Sequence, residues 1–186
     1  VSELITQSGA QRQSESFSVD GTDHDIVIAR AFGNSDADFA EVIVYDDSKI
    51  GAEKEKIESY LAAKYGFTYL DATSSPADMI GTDGTLMWDA DLDATYVNRV
   101  AVIGQDDLSG LSQTSSTTND ADDAIVRIEN ASDQGDLEFA SVSDDNSQKT
   151  NATSTNLPAG LLNSMSRSWL YQTYGGDGIG TVDIVF

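Results

Sequence analysis

The sequence predicts a mainly β protein, an antiparallel β-sandwich with one packed α-helix at about residues 52–65. Three observations predict it. Short runs of β-branched and aromatic residues recur along the chain, separated by turns rich in Gly, Asp and Asn. Only one stretch places apolar residues at helical spacing over several turns. The 186 residues include no Cys, so the core must form without disulfides or thiolate metal sites.

Val1 to Ser14 is polar and has no clear period. Ser16–Val19 and Asp25–Ala31 read as strands joined through Gly21-Thr22-Asp23, and Gly33–Asp36 as a turn. Ala40–Tyr45 is the strongest strand signal in the first third. Side chains alternate across a strand, so Ala40, Val42 and Val44 share one face and Ile43 and Tyr45 the other. Both faces are apolar, and each needs a cover.

The following helix, Ala52 to Tyr65, is expected to supply one cover, as an appendage packed on the outer face of that strand. Ile57, Leu61 and Tyr65, with Tyr60, form its packing face, and Glu53, Lys54, Glu55, Lys56 and Glu58 point to water. Gly66 suits the left-handed residue that ends a helix, with Phe67 folding back onto Leu61. The start is weaker, with Gly51 or Ser48 as the cap.

Beyond the helix, Asp71–Asp78 is a loop. Met79-Ile80 and Leu86-Met87-Trp88, turning at Asp83-Gly84, read as a tight hairpin. Asn98–Gly104 is a strand and Leu108–Thr114 its neighbour. Ser115–Asp123 reads as a polar loop, and Ala124–Ile128 and Leu137–Val142 as alternating strands. Ser143–Asn156 is nearly all polar and is the expected mobile loop. Leu157–Gly160 is a turn. Ser166–Tyr174 and Thr181–Phe186 close the chain as strands joined by Gly175–Gly180.

Charge dominates the composition. Ten Lys and Arg face 32 Asp and Glu, a net charge of −22, which argues against nucleic acid as a partner. No apolar run is long enough to insert into a membrane. The chain opens on Val1 rather than Met and is expected to be a piece of a longer protein. Three readings of the acidity stay open: Asp as a turn residue, an acidic surface for solubility in salt, and loop carboxylates that bind Ca²⁺.

The candidate metal residues are Asp106, Asp107, Asp89, Asp91 and Asp93. The run Asp89-Ala90-Asp91-Leu92-Asp93 opens like an EF-hand, but that loop needs Gly sixth and Glu twelfth, where Ala94 and Val100 stand. Any Ca²⁺ there would bind by another geometry. Asp106-Asp107, at a strand end before Ser109-Gly110, is a metal pair or a turn cap. Gly175-Gly176-Asp177-Gly178 begins like a Ca²⁺ nonapeptide, yet nothing repeats, and a turn is the better reading.

Catalytic patterns are weak. His24 is the only histidine; its neighbours Asp23 and Asp25 point away from it in strand geometry, so no triad forms locally. The paired-carboxylate pattern of glycosidases is absent from the strands. Arg167, Trp169 and Tyr171 share one strand face and suit either core packing or a sugar-stacking site.

FAEVIVYDDSKIGAEKEKIESYLAAKYG, Phe39 to Gly66, resembles the last strand and trailing helix of concanavalin-like (laminin-G-like) sandwiches in bacterial surface proteins. GTDGTLMWD (81–89), VAVIGQDDLSGLSQ (100–113), LPAGLLNSMSRSWLYQ (157–172) and GIGTVDIVF (178–186) resemble, in order, the poorly characterised β-domain that follows that helix. The resemblance implies a large, secreted or surface-located, repetitive, adhesin-like protein. In such a setting the chain is expected to be a monomeric, non-enzymatic scaffold whose partners are neighbouring adhesin modules. The alternative is a Ca²⁺-dependent, lectin-like domain that binds glycans. A concanavalin-like sandwich needs roughly a dozen strands, and the chain before the helix is too short for them. Three readings stay open: the chain begins inside the sandwich, its N-terminal strands join the downstream β-domain as one compact unit, or another module interrupts the fold, in which case Ser143–Asn156 or the region before Ser18 is where it is expected.

Overall fold

The computed structural model describes residues 2–7, 10–16, 40–45, 47–118, 125–149, 151–152, 159 and 164–186, with the backbone alone for 2–7, 10–16 and 151–152. In chain order the elements are β1 (Ser2–Gln7), β2 (Ala10–Ser16), α1 (Ala52–Tyr65), β3 (Met79–Ile80), β4 (Leu86–Trp88), β5 (Asn98–Asp106) and β6 (Leu111–Gln113). There follow β7 (Ser115–Thr117), β8 (Arg127–Glu129), β9 (Glu138–Asp144), β10 (Asn151–Ala152), β11 (Ser164–Met165), β12 (Trp169–Tyr174) and β13 (Asp183–Val185).

Among the described residues the fold is mainly β and antiparallel, with one helix. Its centre is a four-stranded sheet in the order β12-β9-β5-β6. Because side chains alternate, β5 sends Val100 and Val102 to one face and Ala101 and Ile103 to the other, while β9 sends Phe139 one way and Ala140 and Val142 the other. Both faces are covered. On the first lie Met79, Met87 and Trp88 of the β3–β4 hairpin, Ala62 and Ala63 of α1, and Tyr69. On the second lie Ile128 of the sheet β13-β8-β7, with Val126 and Ile179. Burying each such aliphatic or aromatic side chain contributes about 1.5–3 kcal/mol. Gly104 is required where it stands: a Cβ there would strike the Phe139 ring and the Glu138 carbonyl.

The helix bounds match expectation, and so does its stop. Gly66 is left-handed (φ 66°, ψ 41°), and the Gly66 and Phe67 amides both donate to Ala62 O. Gly51 is the N-cap, without a side-chain hydrogen bond; Glu53 and Glu55 in the first turn complement the helix dipole instead. The face is different from the one expected. Glu58, Ser59, Ala62 and Ala63 are the buried residues, and Ile57, Tyr60, Leu61 and Tyr65 are only partly buried. Small residues let α1 approach β3 closely, so the Ser59 hydroxyl accepts the Ile80 amide at 3.0 Å. Glu58 is tolerated inside because Lys54 pairs with its Oε2 at 3.0 Å and the Tyr69 hydroxyl donates to it at 3.2 Å. The helix is therefore part of the core rather than an appendage.

The strand expected at Ala40–Tyr45 is not one. Among the described residues the segment joins no sheet, and Val42, Ile43, Val44 and Tyr45 are exposed. What ties it down is Glu41, which accepts hydrogen bonds from the Tyr60 and Tyr65 hydroxyls and from Lys64 Nζ.

Other differences follow from pairing that pattern does not encode. The polar N-terminal stretch forms the β1–β2 hairpin. Ser115–Thr117, read as loop, pairs with β8. Strand β9 runs on through Ser143 and Asp144, and Asn151-Ala152 pairs with β11, so the expected mobile loop contains strand residues at both places, while residues 150 and 153–156 lie outside the described residues. Leu108, expected in a strand, sits exposed in the turn before β6. β12 and β13 belong to different sheets and do not form a hairpin with each other. The β3–β4 hairpin stands where the sequence placed it. The expected strands Ser16–Val19 and Asp25–Ala31 and the residue His24 lie outside the described residues, apart from Ser16 at the end of β2.

Candidate functional site

The most elaborate polar cluster joins the ends of three strands. Asn98 pairs with Asp144 and Ala101 with Val142, so β5 holds one extra residue against β9, a bulge. Arg99 occupies it with a left-handed backbone (φ 48°), an uncommon conformation for a residue with a Cβ. The bulge turns its guanidinium onto Asp144, which is 3 % exposed in its side chain. Arg99 Nε and Nη2 donate to the two carboxylate oxygens at 2.6 and 2.5 Å, the bidentate geometry that suits Arg. Asn146, also left-handed (φ 58°), donates its amide to Asp144 and accepts from Arg99. Arg167 is buried 3.9 Å from Asp144, its Nε donating to Ser147 O.

Beside this cluster lies a shallow, open depression with room for about one water molecule, lined by Arg99, Thr118, Ile125, Val126, Val142, Asp144 and Trp169. Trp169 opposes Asp144 across the β9–β12 register and meets the Phe186 ring edge-on at 5.1 Å. Thus Arg167 and Trp169 do come together, but around Asp144 and Arg99, which sequence reasoning did not nominate. Arg167 precedes β12 rather than sharing its face with Trp169 and Tyr171, and Tyr171 stands 40 % exposed opposite Val142. No sequence signal marks Arg99; a bulge arises from register and is invisible in composition.

The other nominated residues are scattered, and most have local partners. Asp106 is 1 % exposed and accepts the Thr82 amide and hydroxyl (2.8 and 2.7 Å) and the Ser109 amide. Asp107 accepts from the Gln105 side chain, and its amide donates to Asp136. Asp89 accepts the amides of Asp91 and Leu92, and Asp93 that of Thr95. Asp91 is exposed. Among the described residues no three His, Asp or Glu side chains converge as a metal site would need.

A rule emerges from these bonds. Asp71 holds the Thr73 amide, Asp83 that of Thr85, Asp93 that of Thr95, Asp144 that of Asn146 and Asp145 that of Ser147. Each is an Asx-turn, a carboxylate accepting the amide two residues on. The pattern Asp-x-Thr or Asp-x-Ser was legible in the sequence at four of the five. The Ser75 and Thr73 bonds hold the Asp71 carboxyl below its ordinary value, and the Thr85 bonds do so for Asp83. At Asp145 burial pushes upward, but bonds from Ser147 and Ser168 outweigh it. Asp78 goes the other way, raised by burial and by the nearby charges of Asp89 and Asp91.

Residues 53–186 match a family described as a domain of unknown function, DUF8202. The chain belongs to this family. The DUF8202 match begins within α1, so it takes in the Arg99–Asp144 cluster and both core layers and leaves the exposed Val42–Tyr45 run outside. No curated protein and no solved structure matches the chain.

Proposed function

We propose that the chain is a non-enzymatic structural module of a large extracellular, adhesin-like bacterial protein, a spacer that holds neighbouring modules. The observation that carries this reading is the Arg99–Asp144 clamp. A bidentate buried ion pair, flanked by Arg167, ties the start of β5 to the end of β9 and to the segment entering β12. Such a pair stabilises little relative to an apolar core, but breaking it is costly, so it fixes one arrangement of strand ends. The Asx-turns do the same for the loops. The adhesin context and the surface location come from the sequence resemblance. The net charge of −22 favours solubility and a monomer by self-repulsion.

Pulling on single molecules, with the chain placed between marker domains, tests the reading. A spacer unfolds in one cooperative event, and Arg99→Ala lowers the force of that event. Stepwise unfolding at low force, unchanged by Arg99→Ala, would remove the load-bearing role.

A further inference from the structure

Three Asp-Gly pairs occur in the sequence: Asp20-Gly21, Asp83-Gly84 and Asp177-Gly178. The first lies outside the described residues. The other two are near-equivalents in exposure and backbone. Asp83 and Asp177 are both exposed, and Gly84 and Gly178 are both left-handed, at φ 96° and 92°. Neither glycine has a side chain to hinder its own amide. Their hydrogen bonds are opposite. The Asp83 carboxylate accepts the Thr85 amide at 2.7 Å and the Thr85 hydroxyl at 3.0 Å, and the Gly84 amide donates to Gly81 O at 3.0 Å. Asp177 is held through its own amide, which donates to Glu138 Oε1 at 3.2 Å. Among the described residues its carboxylate accepts no hydrogen bond, and the Gly178 amide donates none.

We propose that Asp177 is a modification site, where the chain isomerises its own backbone to isoaspartate, and that Asp83, in the same dipeptide, is protected by its turn. The Gly178 nitrogen attacks Asp177 Cγ. A C–N bond forms, and the amide proton and the carboxyl hydroxyl leave together as water. The product is a cyclic imide. Water then adds at the former peptide carbonyl of Asp177 and breaks its bond to nitrogen. The main chain now runs on through Cβ and Cγ, and the former carbonyl is a free carboxylate. Water leaves once and enters once, so the change needs no oxidant, enzyme or cofactor. At Asp83 both reacting groups are committed. The Gly84 N–H is engaged by Gly81 O, and Thr85 holds the carboxyl below its ordinary value, in the ionised form whose oxygen leaves less readily. The lesion at Asp177 falls between fixed points. Gly175 packs so closely that a Cβ would strike Leu137 O, and Ile179 is 1 % exposed in the second core. Ile179 O accepts the Asp133 amide, and Thr181 O the Ser132 amide. A methylene added to the main chain there displaces Ile179 or breaks those bonds, and it loosens β13 beyond them. This site stands independently of the spacer reading.

Prolonged incubation of the folded protein at neutral pH, followed by peptide mapping, tests this. A protease that cleaves before Asp but not before isoaspartate reports each site separately, and chromatography resolves the equal-mass peptides. In the folded chain isoaspartate is expected to accumulate at Asp177 at least about tenfold faster than at Asp83, the factor set by having to break one or two hydrogen bonds first. In urea the two rates converge, because the protection belongs to the fold. Asp177→Glu, whose longer side chain closes the ring far less readily, removes the signal from that peptide and leaves the melting temperature of the fresh protein unchanged. After incubation the unsubstituted chain melts lower than before, and Asp177→Glu keeps its melting temperature. No isoaspartate at Asp177, equal rates at Asp177 and Asp83 in the folded chain, or a difference that persists in urea would each overturn the proposal. An equal loss of melting temperature in both incubated proteins would overturn the consequence for β13.

Discussion

Two runs of this chain, Val42–Tyr45 and Val100–Ile103, are near-equivalents as sequence: short, β-branched and apolar on both faces. Their fates are opposite. Ile103 is 0 % exposed, whereas Val44 is 62 % exposed. Strand β5 is paired on both edges, with β9 and β6, and covered on both faces by the α1–hairpin layer and by the three-stranded sheet. Among the described residues the Val42–Tyr45 run joins no sheet and is held through Glu41 to three side chains of α1. The lesson is physical. An apolar period states what a segment tolerates, and burial is decided by partners that arrive from elsewhere in the chain.

The largest test of that contrast is a matched pair of substitutions. Ile103→Ala is expected to cost about 2–5 kcal/mol in urea denaturation, and Val44→Ala less than about 0.5 kcal/mol. A cost of several kcal/mol at Val44 would mean that the exposed run is covered in solution. The next effect sharpens the comparison for charges. Arg99→Ala strands a buried Asp144 and is expected to cost about 3–5 kcal/mol. Removing Arg127 from the exposed pair Arg127–Glu129, at 2.7 Å, should change stability far less, because solvent screens that pair. Equal costs for the two would show that Asp144 is hydrated rather than buried.

Acid provides a third, smaller test, directed at the turns. Asp71, Asp83 and Asp145 have carboxyls depressed below the ordinary 3.8 in the fold. Groups lowered on folding contribute stability that is present above the unfolded value and lost as pH falls through the folded one. Asp78, raised from 3.8, has the opposite sign: it gains stability as it protonates, in the window just above that value. Thermal melts from neutral to about pH 3 should therefore hold near pH 5 and fall below about 4. A fall complete by pH 5 would point to groups other than these turns.

The smallest expected effect is that of Ca²⁺. Occupancy at a hundred times the dissociation constant would add about 2.7 kcal/mol. Asp89, Asp93 and Asp106 already accept backbone amides. We therefore expect equal melting temperatures in millimolar Ca²⁺ and in chelator at matched ionic strength. A rise specific to Ca²⁺ would show that those carboxylates reorganise around a cation.

What the sequence disclosed was local. The helix bounds, the Gly66 stop and the Met79–Trp88 hairpin each rest on signals within a few residues: helical spacing, a left-handed glycine, a tight turn. What it hid was relational. The buried face of α1 is its small-residue face because β3 approaches there, and Glu58 enters the core only because Lys54 and Tyr69 meet it. Polar Ser115–Thr117 becomes a strand because β8 lies beside it. In the candidate site, Trp169 and Arg167 were visible as residue types, but Arg99 and Asp144 owe their meeting to a bulge in the β5–β9 register.

The Asx-turns have a kinetic consequence. A carboxylate that bonds the amide two residues ahead needs no help from the rest of the fold, so these corners can form and dissolve rapidly in the unfolded chain. The ladder between β5 and β9 cannot, because it must first close the chain between Asp106 and Glu138 and assemble a sheet in which β12 joins from farther still. Loop closure of that kind governs folding speed. Because such a corner is already formed at the transition state, Asp83→Ala is expected to leave the unfolding rate nearly untouched, and Ala140→Gly, in the β5–β9 ladder, to slow refolding in stopped-flow measurements. The corners are prefabricated, and the pace of construction is set by the one long seam between them.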